Sequence, residues 1–73
     1  MGIITTEQIA EYMERMIAED FLAGNTARIH RIQIAAGVIM DAAESFGDKD
    51  GTYKFRVVAA HAANKQEEIE RIG

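Results

Sequence analysis

The chain has 73 residues, no cysteine, and 12 acidic against 8 basic residues, for a formal net charge of −4. This length suffices for one domain, and the lack of cysteine excludes a disulfide framework and favours a cytoplasmic protein. The negative charge and scattered basic residues argue against nucleic-acid binding, and no apolar run approaches the roughly 20 residues that span a bilayer. We therefore expect a single cytoplasmic domain over residues 1–73, without nucleic-acid or membrane partners.

The first predicted helix covers about residues 6–23. Thr5 is its expected N-cap, and Gln8 completes a capping box. Gly24 is expected to end the helix, because glycine tolerates the left-handed backbone that follows many helices. One side of this helix carries apolar residues at helical spacing: Ile9, Met13, Met16 and Ile17, widened by Tyr12 and Phe21.

Two longer helices follow, over about residues 26–46 and 51–72. Asn25 or Thr26 caps the first of them, Gly47 ends it, and Asp48 or Asp50 caps the second. The short connection makes them antiparallel neighbours. The predicted fold is all-α: an antiparallel three-helix arrangement built on a hairpin of helices 2 and 3, completed by oligomerisation.

The apolar residues of helices 2 and 3 predict how this hairpin packs. Phe46 and Phe55 are expected to fill the ends of its seam, while Lys65 interrupts the seam and either extends towards the acids of helix 3 or becomes contact surface. The same register brings opposite charges together across the hairpin: Arg28 with Glu70, Arg31 with Glu67, Asp41 with Arg56, and Glu44 with Lys54.

A second apolar stripe on helix 2 predicts self-association. Ala27, Ile34 and Val38 lie away from the predicted hairpin seam, so helix 2 is apolar on two sides. We expect a homo-oligomer, a dimer or larger, in which helix 1 or the Ile34/Val38 stripe contacts another subunit. The alternative is a closed three-helix monomer with helix 2 at its centre.

Motifs for catalysis or metal binding are weak, so we expect no enzyme, cofactor or metal site. Ser45 has no sequence-placed base, and neither His30 nor His61 has a metal-binding neighbour one helical turn away. The loop around Gly51 lacks the carboxylates that an EF-hand requires at both ends. We expect His61 to fill the space beside Gly37, and the acidic stripe on helix 1 to be solvated: Glu7, Glu11 and Glu14.

The leading functional interpretation is a protein-protein interaction module, an adaptor or inhibitor with a protein partner. Its expected contact residues are Tyr12, Phe21, Leu22 and Tyr53, with the acidic face of helix 1 as a polar rim. The alternative is a binder of a small anionic ligand, a nucleotide or phosphate, at the basic start of helix 2. That site would use Asn25, Arg28, His30 and Arg31, unless Glu67, Glu68 and Glu70 neutralise it.

Overall fold

The computed structural model describes residues 2–72, which form three α-helices: α1 (Thr6–Ala23), α2 (Thr26–Ser45) and α3 (Lys49–Ile72). The helices pack against one another as a bundle, with the most extensive contact between α2 and α3. Helix α1 contacts both of the other helices. Within residues 2–72 no helix is long and apolar enough to cross a bilayer.

Local capping accounts for both ends of α1. The Thr5 hydroxyl accepts a hydrogen bond from the Gln8 N–H (3.1 Å), and the Gln8 Oε1 atom accepts one from the Thr5 N–H (2.9 Å), which confirms the capping box. Gly24 has a left-handed backbone (φ 69°), and its N–H donates to carbonyls of the last turn. The helix therefore ends at the first glycine that follows its start.

The connection between α2 and α3 is tighter than expected. Helix α2 ends at Ser45 and α3 begins at Lys49, two residues before the expected start. Asp48 caps α3, because its Oδ1 atom accepts the Gly51 N–H at 3.0 Å. Gly51 is buried inside the first turn, where an added Cβ would lie 2.6 Å from the capping carboxylate of Asp48 and 3.2 Å from the Cβ of Ala43. Glycine at this position lets α3 begin close against the end of α2.

The core combines residues from all three helices. Its largest fully buried side chains are Ile17 of α1, Ile29 of α2, and Phe55 and Val58 of α3. The other buried apolar residues are Ala10, Met13, Ala36 and Ala62. Burial of these side chains is the main favourable contribution to folding, at roughly 1.5–3 kcal/mol for each large one.

The expectation that Phe46 closes the end of the core is wrong. Phe46 is the C-cap residue of α2 and is 90% exposed. The early start of α3 is the physical reason, because Gly51 rather than an aromatic ring occupies the space beside Ala43. Phe55, by contrast, is fully buried.

The expected ion pairs between α2 and α3 are absent from residues 2–72. Arg28 instead approaches Asp20 of α1, and Lys54 approaches Glu7 of α1. Glu67 pairs with Arg71 one turn along its own helix. Helix α1 packs beside α2 and α3, so its carboxylates come close to Arg28 and Lys54. The hairpin of α2 and α3 alone does not contain these partners. The Lys65 amino group extends out of the core and lies 3.1 Å from Glu68 Oε2 and 4.4 Å from the centre of the Phe21 ring.

Candidate functional site

Large apolar side chains remain exposed on several separate surfaces of the bundle. Three of these surfaces contain all of the residues that the sequence predicts as contacts except Tyr12. We name them the acidic groove, between α1 and α3; the apolar end, where α1 and α3 finish; and the α2 outer face, on the side of α2 away from the core.

The acidic groove is a depression with a volume of about 560 Å³. Ala10 of α1 and Val58 of α3 form its buried floor, and the partly exposed Val57 extends it. Tyr53, which is 67% exposed, stands at its edge. Carboxylates border this apolar strip along both helices: Glu7, Glu11, Glu14 and Asp50.

Two of these carboxylates contact a basic side chain and two do not. Lys54 Nζ lies 3.5 Å from Glu7 Oε1, and the His61 ring hydrogen-bonds to Glu14. Glu11 and Asp50 form no ion pair within residues 2–72. The rim therefore has an excess of negative charge next to an apolar floor. This is the arrangement expected of a surface that receives a cationic partner.

His61 does not fill the space beside Gly37, so that expectation is wrong. No side-chain atom lies within 4 Å of where a Cβ on Gly37 would be. His61 turns to α1 instead and contacts Glu14 at one end of the acidic groove. Sequence reasoning from helices 2 and 3 alone missed this contact because the carboxylate comes from a third helix.

The residues expected to form one contact surface lie in three places. Tyr53 lies in the acidic groove. Phe21 and Leu22 lie at the apolar end with Ile69 and Ile72, around a depression of about 450 Å³. Tyr12 lies between α1 and α2, in a shallow groove that Arg31 also lines. Only Tyr53 is brought together with the acidic stripe of α1.

The α2 outer face is an exposed stripe along one side of α2. Ile34 and Val38, at its centre, are 56% and 63% exposed. Ala27 and Ser45 continue the stripe at helical spacing, and Arg31 and Asp41 flank it; all four are exposed. Among residues 2–72 neither Arg31 nor Asp41 forms an ion pair. Within residues 2–72, the apolar side chains of the stripe are therefore left exposed and its charged side chains have no ion pair.

The structure brings only two of the basic residues at the start of α2 together: Arg28 and Arg31 line the groove between α1 and α2, and His30 does not. Arg28 points to α1, where its Nε atom is 3.6 Å from Asp20 Oδ2, whereas the His30 ring contacts Gln66 of α3 at 3.2 Å. The Asn25 side chain accepts the Arg28 N–H at 3.1 Å, and the Thr26 N–H donates to the Gly24 carbonyl. Two N–H groups of the first turn of α2, those of Thr26 and Arg28, thus already have acceptors.

Asp20 is the buried polar residue that sequence reasoning missed. It is only 5% exposed, and its Oδ2 atom has no hydrogen-bond partner within the described part of the chain. Its spacing from Met13 and Ile17 follows the apolar stripe of α1, which is the signal that predicts burial here. The nearby Arg28 guanidinium is the cation that compensates it.

Residues 2–72 contain no group of three or more His, Cys, Asp or Glu side chains arranged to hold a metal ion. The fold and its surfaces define a small all-α, three-helix bundle with several exposed apolar surfaces. No family model, curated protein or solved structure with which the chain was compared matches it.

Proposed function

We propose that this protein is a small helical interaction module that acts by binding another protein, as an adaptor or inhibitor, and that it also self-associates. The observation that carries the binding proposal is the acidic groove. It combines an apolar floor, an exposed tyrosine at its edge and carboxylates on both sides. Tyrosine at the edge of an apolar depression is frequent at protein interfaces, because its ring is apolar and its hydroxyl remains hydrated.

The partner that best fits this groove is an amphipathic helix with Lys or Arg flanking an apolar ridge. The groove runs between two helices, and a third helix laid along it would bury its apolar side chains against Val57 and Val58. Its cations would meet Glu11 and Asp50, which have no ion pair within residues 2–72. Such charge matching raises the association rate and orients the partner.

Two synthetic helices of equal length test this proposal: one with leucine on one face and lysine on the other, and one in which glutamate replaces every lysine. Titration followed by amide chemical shifts should give saturable binding of the lysine helix, with the shifts concentrated at residues of the acidic groove. Binding of both helices with equal affinity, or of neither, would contradict the proposal.

Variants of the protein locate the site. Charge reversal of the rim by Glu11→Lys should weaken binding of the lysine helix by about tenfold, because an attractive contact becomes repulsive. Glu19→Lys is the matched control, since Glu19 is an exposed acid of the same helix that does not line the groove. Equal weakening by both variants would indicate a nonspecific effect of net charge and would count against the groove.

Several finer features of the architecture belong to the same proposal. We infer that the chain is one domain and that α2 and α3 form an antiparallel hairpin, which is supported by contacts of His30 and Gln33 with Gln66 near the far end of the chain. We also propose a cytoplasmic location, in keeping with the absence of cysteine. Self-association is tested by light scattering, which should detect a species of twice the 8.1 kDa monomer mass.

A further inference from the structure

We propose that the α2 outer face is covered by the same face of a second copy, with the two α2 helices antiparallel about a two-fold axis. This inference rests on the self-association part of the proposed function and specifies its interface. It is independent of the acidic groove, which lies between α1 and α3.

The charge distribution along α2 favours an antiparallel arrangement. Basic residues Arg28 and Arg31 lie in its first two turns, and acidic residues Asp41 and Glu44 lie in its last two. Both groups oppose the helix dipole, which favours acids near the N-terminus and bases near the C-terminus. In an antiparallel pair, the basic start of each helix lies beside the acidic end of the other. A parallel pair would place like charges together.

One register satisfies the apolar and the charged residues together. When Ile34 faces Val38 of the second copy, Arg31 faces Asp41 of the second copy and Ala27 faces Ser45 of the second copy. The two-fold axis makes each of these contacts occur twice. Because Arg31 and Asp41 form no ion pair within residues 2–72, each is available to a second copy.

The size of this face predicts a reversible dimer. A 20-residue helix is about 30 Å long, and only Ile34 and Val38 contribute large apolar side chains to the stripe. The buried area falls near the lower end of specific interfaces, so association at micromolar or higher concentration is expected. The orientation must then be measured by a method that captures weak complexes.

Cysteine cross-linking measures the register directly, because the natural chain has no cysteine. The variants Ile34→Cys and Val38→Cys are prepared separately, mixed in equal amounts and oxidised, and the disulfide products are separated by intact mass. Disulfide formation requires Cα atoms within about 7 Å. We expect the mixed dimer to exceed its random share of about one half clearly, since Ile34 faces Val38 only in the antiparallel register. A random distribution, or an excess of the two homodimers, overturns the proposal.

Charge reversal provides a second measurement in the chain without cysteine. By sedimentation equilibrium, Arg31→Asp and Asp41→Arg should each weaken dimerisation by about tenfold or more, because each introduces two repulsive contacts. The double variant should restore the wild-type constant, and Arg15→Asp on exposed α1 is the control. If the single variants dimerise normally, the proposed interface is wrong. Self-association is still supported in that case if light scattering detects a dimer. A monomer at every concentration overturns both.

Discussion

Removal of Arg28 should destabilise the protein, because Arg28 compensates the buried carboxylate of Asp20. The Asp20 side chain is 7% exposed and that of Arg28 is 50% exposed, with 3.6 Å between Nε and Oδ2. Asp20 lies in the last turn of α1 and Arg28 in the first turn of α2, so each lies at the unfavourable end of its helix dipole. The pair spans the turn at Gly24 and offsets both effects.

The expected change in the free energy of unfolding combines two contributions, one from the buried carboxylate and one from the dipole of α2. The Asp20 carboxylate has no hydrogen bond at Oδ2, so Arg28→Ala would leave it without its neighbouring cation as well. An uncompensated buried group of this kind costs about 1–3 kcal/mol. Removing a cation from the start of α2 recovers about 0.3–1 kcal/mol. Arg28→Ala should therefore lower the free energy of unfolding by about 1–2 kcal/mol, a large fraction of the roughly 3–5 kcal/mol available to a domain of this size. The melting temperature should fall by about 5–15 °C.

Urea unfolding followed by circular dichroism measures this effect, at a low protein concentration at which the chain is monomeric. The double-mutant cycle combines Arg28→Ala with Asp20→Asn, which removes the charge and retains the size of the side chain. In the Asp20→Asn background, loss of Arg28 should cost less than about 0.5 kcal/mol. Arg31→Ala is the matched control, a neighbouring cation without an ion pair in residues 2–72. A wild-type midpoint for Arg28→Ala, or a coupling energy of zero, would refute the reasoning.

Five further substitutions test the packing, each by urea unfolding at the same low concentration. Phe55→Ala should cost about 3–5 kcal/mol and leave the chain largely unfolded, because the ring is fully buried, whereas Phe46→Ala at its exposed position should change stability by less than about 0.5 kcal/mol. Gly37→Ala should stabilise by about 0.5–1 kcal/mol in open helical space, whereas Gly47→Ala should destabilise by about 1 kcal/mol, since φ is 74° there. A stabilised Gly47 variant would contradict this reasoning. His61→Ala should cost less than about 1 kcal/mol, because it breaks a half-exposed contact and leaves no core cavity; a larger loss would restore a packing role for the ring.

The ends of the helices were the most predictable part of the fold. The capping box at Thr5 and the glycine stop at Gly24 depend on residues within one turn of each other. The all-helical class followed in the same way from the spacing of apolar residues. The start of α3 was less predictable, because both Asp48 and Asp50 are suitable caps. In the structure Asp48 is the cap, and Gly51 packs closely against both Asp48 and Ala43.

The sequence predicted which individual residues are exposed for contact, but it did not predict how they group into surfaces. Exposure of Ile34 and Val38 follows from their position on α2 opposite Ile29 and Ala36. The acidic groove was not foreseen as a unit, since its two walls come from helices that are distant in sequence. The contacts of Asp20 and His61 were missed for the same reason.

The sequence by itself determined three helices, their approximate ends and the apolar faces available for packing, because capping, turn geometry and helical spacing are local properties. Only the tertiary structure decided which way α1 lies across α2 and α3, and therefore that Glu14 meets His61, Asp20 meets Arg28 and Phe46 stays in solvent. That choice depends on how side chains from three helices fill one core together. No single helix contains the information, because each presents an apolar face wide enough to accept its neighbours in more than one way.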